Sequence, residues 1–265
     1  TRSDRDWSSD VCSSDLKHVP LMEMNPRESM RVNAGGTLTV ARLAGRYGAE
    51  KMVLISTDKA VNPTSVMGAS KRVAEMVLHE VGREYAKTAF MAVRFGNVLG
   101  SRGSVIPKFE DQISSGLPVT VTHPEMRRYF MLIPEAVNLV LQSAALGTGG
   151  ELFVLDMGDP VRIVDMAEML IRLHGYEPYK DVPIVFTGIR RGEKLFEELF
   201  YDPSRVQTTA HEKIFVSNLA IRSSEPGSVT EKVEGIVSME DGDILRVMES
   251  LVPEYTPSAP VNGAK

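Results

Sequence analysis

KMVLISTDKAVNPTSVMGASKRVAEMVLHEVGREYAKTAFMAV, residues 51–93, decides the fold. Its opening, Lys51-Met-Val-Leu-Ile-Ser56, is a short β-branched run of the kind a parallel sheet buries on both faces. Asn62-Pro63-Thr64-Ser65 marks a loop and a cap, after which Val66 to about Tyr85 carries Ala69, Val73, Met76 and Val77 on one helical face. Thr88-Ala-Phe-Met-Ala-Val93 reads as the next buried strand. A strand, a long helix and a second strand in this order imply a right-handed crossover within a doubly wound parallel sheet.

The pattern extends in both directions. Upstream, Asn25-Pro26 with Glu28 is a helix start, and Met30, Val32, Leu38, Val40, Ala41 and Leu43 continue one helix to about Tyr47, where Gly48 stops it. The fold class is therefore α/β and Rossmann-like. No G-x-G-x-x-G turn occurs in the chain, so the first βαβ unit is expected to be missing. Gly147-Thr-Gly149-Gly150 precedes a strand and reads as a turn.

Beyond Arg94, glycines and prolines at 96, 100, 103, 107, 116 and 118 break the alternation. The patterning predicts helices at about 104–115, 134–146, 163–174, 193–200 and 241–251, with strands at about 119–122, 151–155 and 183–187. These build a smaller C-terminal lobe. Residues 220–240 are weakly patterned, and the Pro-rich tail 253–265 reads as disordered. Residues 1–16 contain five Ser and four Asp without periodicity, and read as a non-native or disordered segment.

Composition bounds the function. Of 265 residues 43% are apolar and 25% charged, and the net charge of −5 argues against nucleic acid as a partner. No apolar run approaches the roughly 18 residues of a membrane span. The lone Cys12 excludes an internal disulfide, which fits a reduced, cytoplasmic compartment. None of the five histidines shows metal-ligand spacing, so no metal is expected.

Ser56-Thr57-Asp58-Lys59 is the densest chemical candidate, since it falls at the carboxyl end of a strand, where open α/β sheets place ligands. Ordinary turn chemistry accounts for Ser-Thr-Asp equally well when it is taken alone. Lys71 stands four residues beyond Met67, on the same helical face.

Several blocks, in order, resemble one family. They are KHVPLMEMNP (17–26), LISTDKAVNPTSVMGASKR (54–72), VRFGNVLGSRGSVIP (93–107), RRYFMLIPEA (127–136), GGELFVLDMGDPVRIVDMA (149–167) and TGIRRGEKLFEEL (187–199). Together they resemble the CapD-like UDP-N-acetylglucosamine 4,6-dehydratases of bacterial polysaccharide biosynthesis, which are extended short-chain dehydrogenases/reductases. The resemblance implies an NAD cofactor, a UDP-N-acetylhexosamine substrate, a homo-oligomer, and a hydro-lyase forming a 4-keto-6-deoxy sugar. It divides the chain into a partial NAD-binding domain, 17–100, and a UDP-sugar lobe with returning sheet elements, 101–252.

Position by position, the resemblance puts Thr57 beside the sugar 4-hydroxyl, Asp58 and Lys59 at the acid and base positions, and Lys71 on the nicotinamide ribose. Ser56, Lys17 and His18 fall on the cofactor side. Asn97, Ser104, Val105, Arg128, Arg190 and Glu193 fall on the substrate side. Met67 occupies the position of the catalytic tyrosine of most relatives, and a thioether cannot take the 4-hydroxyl proton. Arg191 replaces the usual proline of R-P-G-E-K, and Arg127 a small residue. For the assigned roles Asp58 must hold a proton and Lys59 must lose one near neutral pH. An epimerase or reductase, or a non-catalytic nucleotide-sugar-binding fragment, is the alternative. Family members often carry an upstream membrane anchor, which would place the parent protein at the cytoplasmic face of the inner membrane.

Overall fold

The computed structural model describes residues 16–101, 103–201, 206–218, 228–236 and 239–257. Its central sheet has five strands, β1 (Lys51–Ile55), β2 (Ala89–Arg94), β3 (Glu151–Leu155), β4 (Gln207–Thr208) and β5 (Ile214–Asn218), in the order β1-β2-β3-β5-β4. The first three are parallel, with Val53 opposite Met91 and Val93 opposite Phe153. β5 returns antiparallel to β3, and β4 antiparallel to β5. The expected α/β sheet is present, and β1 forms its outer edge.

Alternation along β2 shows why the sheet is covered on both faces. Phe90 and Ala92 pack into one core with Val73, Met76 and Val77 of the helix Val66–Glu84, whereas Met91 and Val93 join Ala136 and Leu139 of the helix Ile133–Leu146 on the other side. Each large apolar side chain so buried stabilises the fold by about 1.5–3 kcal/mol. The Lys51 ammonium donates to the carbonyls of Ala144 (2.6 Å) and Gly147 (2.9 Å), which ties β1 to the C-terminal end of the helix Ile133–Leu146.

The smaller lobe has its own core. Phe109 and Ile113 of the helix Val105–Ser114 meet Ile163, Ala167 and Ile171 of the helix Ile163–Leu173 over the parallel pair Val119–Val121 and Ile184–Phe186. Two short ladders connect it to the sheet region: Asn97–Val98 with Phe130–Met131, and Arg127–Arg128 with Val161–Arg162.

Four expectations are corrected. The single helix over 26–47 is three segments, Pro26–Met30, a π-helical turn at Arg31–Gly35, and Gly36–Arg46, preceded by a short helix Val19–Met24. The π turn carries the buried Asn33, whose amide donates to Ser70 Oγ (3.0 Å), a contact invisible to helical periodicity. No helix forms at 193–200, because carbonyls of this stretch accept from elsewhere: Lys194 and Leu195 from the Arg128 guanidinium at 2.8 and 3.3 Å. The weakly patterned 220–240 contains the helix Ser228–Gly235, which buries Val229 and Val233; residues 219–227 and 237–238 lie outside the described residues. The tail is held as far as Thr256, since Tyr255 is buried and Thr256 N–H donates to the Pro63 carbonyl (3.0 Å). An aromatic anchor outweighs the Pro-rich composition there; residues 258–265 lie outside the described residues. So do residues 1–15 of the segment expected to be non-native, while Leu16 N–H donates to Asn33 Oδ1 (3.4 Å).

Candidate active site

The site is built where β1 runs out. Ser56 N–H donates to the Val93 carbonyl (2.8 Å) and Asp58 N–H to the Phe95 carbonyl (3.1 Å), so the chain keeps following β2 past Ile55. It then closes a 3₁₀ turn, Asp58–Ala60, in which Thr57 Oγ1 accepts from Lys59 N–H (3.4 Å). This turn points the 58 and 59 side chains toward the loops between the two lobes.

Asp58 is fully buried. Its Oδ1 accepts from Thr57 Oγ1 (2.9 Å) and from Lys59 Nζ (2.9 Å), and Lys59 Nζ also donates to Asn97 Oδ1 (3.3 Å). The Asn97 amide in turn donates to the Tyr129 carbonyl (3.3 Å). From the smaller lobe, Glu197 Oε1 lies 4.0 Å from Lys59 Nζ and 3.6 Å from Arg128 Nε. Thr57, Asp58, Lys59, Asn97 and Arg128 thus converge as expected from the sequence. Glu197, in the Lys-Leu-Phe-Glu run, was missed because nothing but tertiary proximity singles it out. Asp58 Oδ2 and Glu197 Oε2 are both buried without a hydrogen-bond partner among the described residues.

Electrostatics differ from the simple requirement on Lys59. Burial works against its ammonium, but the carboxylates of Asp58 and Glu197 more than offset this, and its pKa is raised. Burial, helped by the nearby Asp58, pushes the Glu197 carboxyl up against the opposing pull of Lys59, Arg128 and Lys194. Lys59 therefore rests as an ammonium between two carboxyl groups.

Two glycines allow this closeness. A Cβ on Gly68 would overlap the Lys59 carbonyl oxygen, and one on Gly96 would come within 2.9 Å of Tyr129 Cβ and 3.1 Å of Asp58 Oδ2. Gly68→Ala, at the start of the helix Val66–Glu84, must push that helix off the 58–60 turn. We expect it to cost about 1–3 kcal/mol in urea unfolding and to weaken turnover more than that loss alone explains.

Beneath the turn lies a buried charge network. Glu75 receives Ser56 Oγ (2.6 Å), Arg94 (2.5 and 2.6 Å) and Arg72 (3.1 Å). Arg72 also pairs with Glu254 (3.1 Å), and Tyr201 Oη donates to the Ala60 carbonyl (2.7 Å) below the stacked guanidinium of Arg94, 5.1 Å from its ring centroid. Burial would raise the Glu75 carboxyl, yet Arg94 and Arg72 hold it below the usual range; burial pushes the Tyr201 phenol up to about 12. Ser56, expected on the cofactor side, is buried and spends its hydroxyl on this floor.

The remaining candidates group in three places. Lys71 Nζ lies 3.4 Å from the Ile55 carbonyl at the end of β1, while Met67 is buried in the core as a wall residue. Lys17 Nζ donates to Ser101 Oγ (3.2 Å), and the His18 ring lies against Gly103. Arg190 and Glu193 face Lys108, a residue not anticipated, whose pKa is lowered by burial and by the Arg190 charge. Ser104 stands at the N-cap position of the helix that Val105 opens without a capping hydrogen bond, its hydroxyl buried without a partner among the described residues. Arg191, the substitute for proline, pairs with Glu23 (3.2 Å), and Glu23 also accepts from Val66 N–H (2.7 Å). The turn is thereby anchored to the start of the helix Val66–Glu84. Among the described residues no group of His, Cys, Asp and Glu could hold a metal ion, and no helix is long and apolar enough to cross a membrane.

The family profile described as polysaccharide biosynthesis protein matches residues 11–219. This chain belongs to the polysaccharide biosynthesis protein family. The capsular polysaccharide biosynthesis protein CapD of Staphylococcus aureus is 61% identical over 199 residues, 75% of this chain and 33% of that protein. A UDP-glucose 4-epimerase of Rickettsia canadensis is 38% identical over 186 residues, 69% of this chain and 53% of that protein. The chain thus spans between a third and about half of the length of these family relatives. The X-ray structure of Pen from Bacillus thuringiensis superposes with a TM-score of 0.71 at 32% identity, over 79% of this chain and 64% of that one. NAD-bound dehydratases and epimerases at 20–21% identity share the fold, with TM-scores of 0.53–0.62. The CapD-like resemblance and the Rossmann-like fold expected from the sequence are both borne out.

Proposed function

We propose that the protein containing this polysaccharide biosynthesis domain is an NAD-dependent 4,6-dehydratase of a UDP-N-acetylhexosamine, acting in the cytoplasm. The observation that carries this reading is the pair formed by the buried Asp58 and the half-buried Lys59, joined by one 2.9 Å hydrogen bond beside Thr57 and Asn97. Elimination of water across two adjacent carbons needs one group to take a proton and another to give one, and this pair holds both.

The raised pKa of Lys59 does not forbid the chemistry. The ion pair and its neutral form, amine plus carboxylic acid, contain the same number of protons and differ only in the position of one along the Asp58–Lys59 hydrogen bond. A sugar that displaces water removes solvation from both charges, which favours the neutral form. The Lys59 amine then takes the C5 proton as the Asp58 acid protonates the departing C6 hydroxyl.

NAD fits at one end of the site. Lys71 stands at the carboxyl rim of β1, beside Ile55, which is 40% exposed, and could grip the nicotinamide ribose; Lys17 and His18 would flank it. Bound NAD would supply the reversible hydride exchange that makes C4 a ketone and acidifies C5, with the 4-hydroxyl proton leaving through Thr57 Oγ1 to water. Arg190, Glu193 and Lys108 would hold UDP, the cations pairing with the diphosphate and the carboxylate with ribose hydroxyls. Arg128 already donates to the 194 and 195 carbonyls, so its part is to seat the loop that carries Glu197.

Incubating the NAD-loaded full protein with UDP-N-acetylglucosamine should yield a 4-keto sugar nucleotide lighter by one water. The relative named a UDP-glucose 4-epimerase favours a second reading, epimerisation. A product of unchanged mass with inverted C4 would establish it in place of dehydration.

A further inference from the structure

The Glu197 carboxyl, reaching the acid–base pair from the smaller lobe, has no part in the mechanism above. It is 8% exposed, and its Oε1 faces both Lys59 Nζ at 4.0 Å and Arg128 Nε at 3.6 Å. Its Oε2 is buried and unpartnered among the described residues. Burying a carboxyl with one oxygen idle is costly, and such a group usually does something besides packing.

Holding the loop does not require it. Arg128 already donates to the Lys194 and Leu195 carbonyls, and Lys194 Nζ donates to the Val61 carbonyl (2.9 Å) and pairs with Glu198 (2.9 Å). The loop is therefore fastened to the 58–61 turn by its own cation, and to the Arg127–Arg128 strand by the Arg128 guanidinium. What Glu197 adds is a second carboxyl group on the Lys59 ammonium, 4.0 Å away, beside the Asp58 contact at 2.9 Å.

We infer that Glu197 is a positioning residue that brackets Lys59 with Asp58, keeping its ammonium centred in the site and its proton bound across the working pH range. The inference deepens the dehydratase reading, on which its catalytic meaning rests. In that mechanism the active pair carries one proton in total; once it is lost to solvent, leaving amine and carboxylate, nothing can protonate the leaving hydroxyl. The charged groups facing Lys59 are Asp58, Glu197 and Arg128, with Lys194 facing Glu197 and Tyr129 facing Asp58. Asp58 and Glu197 favour the ammonium, and Arg128 opposes it. Removing the Glu197 charge should let the proton leave at lower pH.

The test compares wild type, Glu197→Gln and Glu197→Asp in the full protein by two measurements. One is the pH profile of turnover on UDP-N-acetylglucosamine; the other is the titration of Lys59, followed by NMR of its labelled ε-carbon and assigned with Lys59→Met. In Glu197→Gln, the descending limb of the profile and the Lys59 midpoint should both move down by about one pH unit, the low end for a charge at 4–6 Å. Glu197→Asp should restore part of the shift. An unmoved Lys59 midpoint in the Gln variant overturns the inference, whatever happens to turnover. If wild type fails to dehydrate the sugar, the dehydratase reading falls, and the Lys59 titration still decides whether Glu197 sets that proton.

Discussion

Lys59→Met should lower dehydration turnover by about 10²–10⁴-fold, the range for loss of a positioned acid–base group. Methionine keeps the length of the side chain but has no proton to exchange. Lys59 Nζ is the point at which Asp58, Asn97 and Glu197 meet, so no neighbour can stand in for it: Asn97 does not titrate, and Glu197 is the more distant carboxyl, 4.0 Å from Nζ against 2.9 Å for Asp58. UDP affinity should persist, because Arg190, Glu193 and Lys108 belong to a different cluster. Steady-state kinetics with titration of UDP binding checks both halves. Turnover within a few-fold of wild type would remove Lys59 as the base.

Glu75→Gln should be the most destabilising of the substitutions considered, by about 3–5 kcal/mol, because it leaves the buried Arg94 without its counter-charge and Arg72 with Glu254 alone. Arg94 is 1% exposed and Arg72 7%, and both hydrogen-bond to this carboxylate. The amide retains the size of the glutamate but cannot answer two guanidinium groups. Urea unfolding near pH 7 should show the full loss.

The acid dependence follows from the same pair of cations. The folded-state carboxyl is held below its ordinary range, so its contribution is fully present above the unfolded value of about 4.3 and is lost as pH falls through the lower folded value. Wild type should therefore lose stability on acidification below about pH 4.3 more steeply than Glu75→Gln, and the gap between them should narrow. A gap that stays constant into acid would mean that the carboxylate charge is not what the floor depends on.

The parts of the molecule governed by local pattern were readable before the structure. The βαβ order around residues 51–93 needs only period and caps, and the strand Glu151–Leu155 and the helix Asp241–Leu251 fall where their apolar residues predicted. The strand-end position singled out Ser56-Thr57-Asp58-Lys59 as a candidate, and the structure adds that Asp58 and Lys59 meet there in one hydrogen bond. What escaped depends on contacts between distant segments. β5 is defined by antiparallel pairing of Phe215 with Val154 and Val216 with Phe153 rather than by its own five residues. Glu197 and Tyr201 gain their meaning from Lys59 and Ala60, well over a hundred positions earlier, and the irregular 194–199 run from donors that belong to Arg128. The floor under the 58–60 turn is likewise closed by Glu254, in a tail whose composition suggested no structure.

The outer edge of β1 has consequences for handling the protein. Its backbone donors and acceptors on that side meet no strand among the described residues, and Ile55 at its end is substantially exposed. Open, straight edges of this kind template pairing with another molecule. Concentrated solutions of this polypeptide alone should therefore thicken and precipitate through ladder-to-ladder growth at that rim, and a charged residue placed there should improve its solubility more than changes elsewhere on the surface.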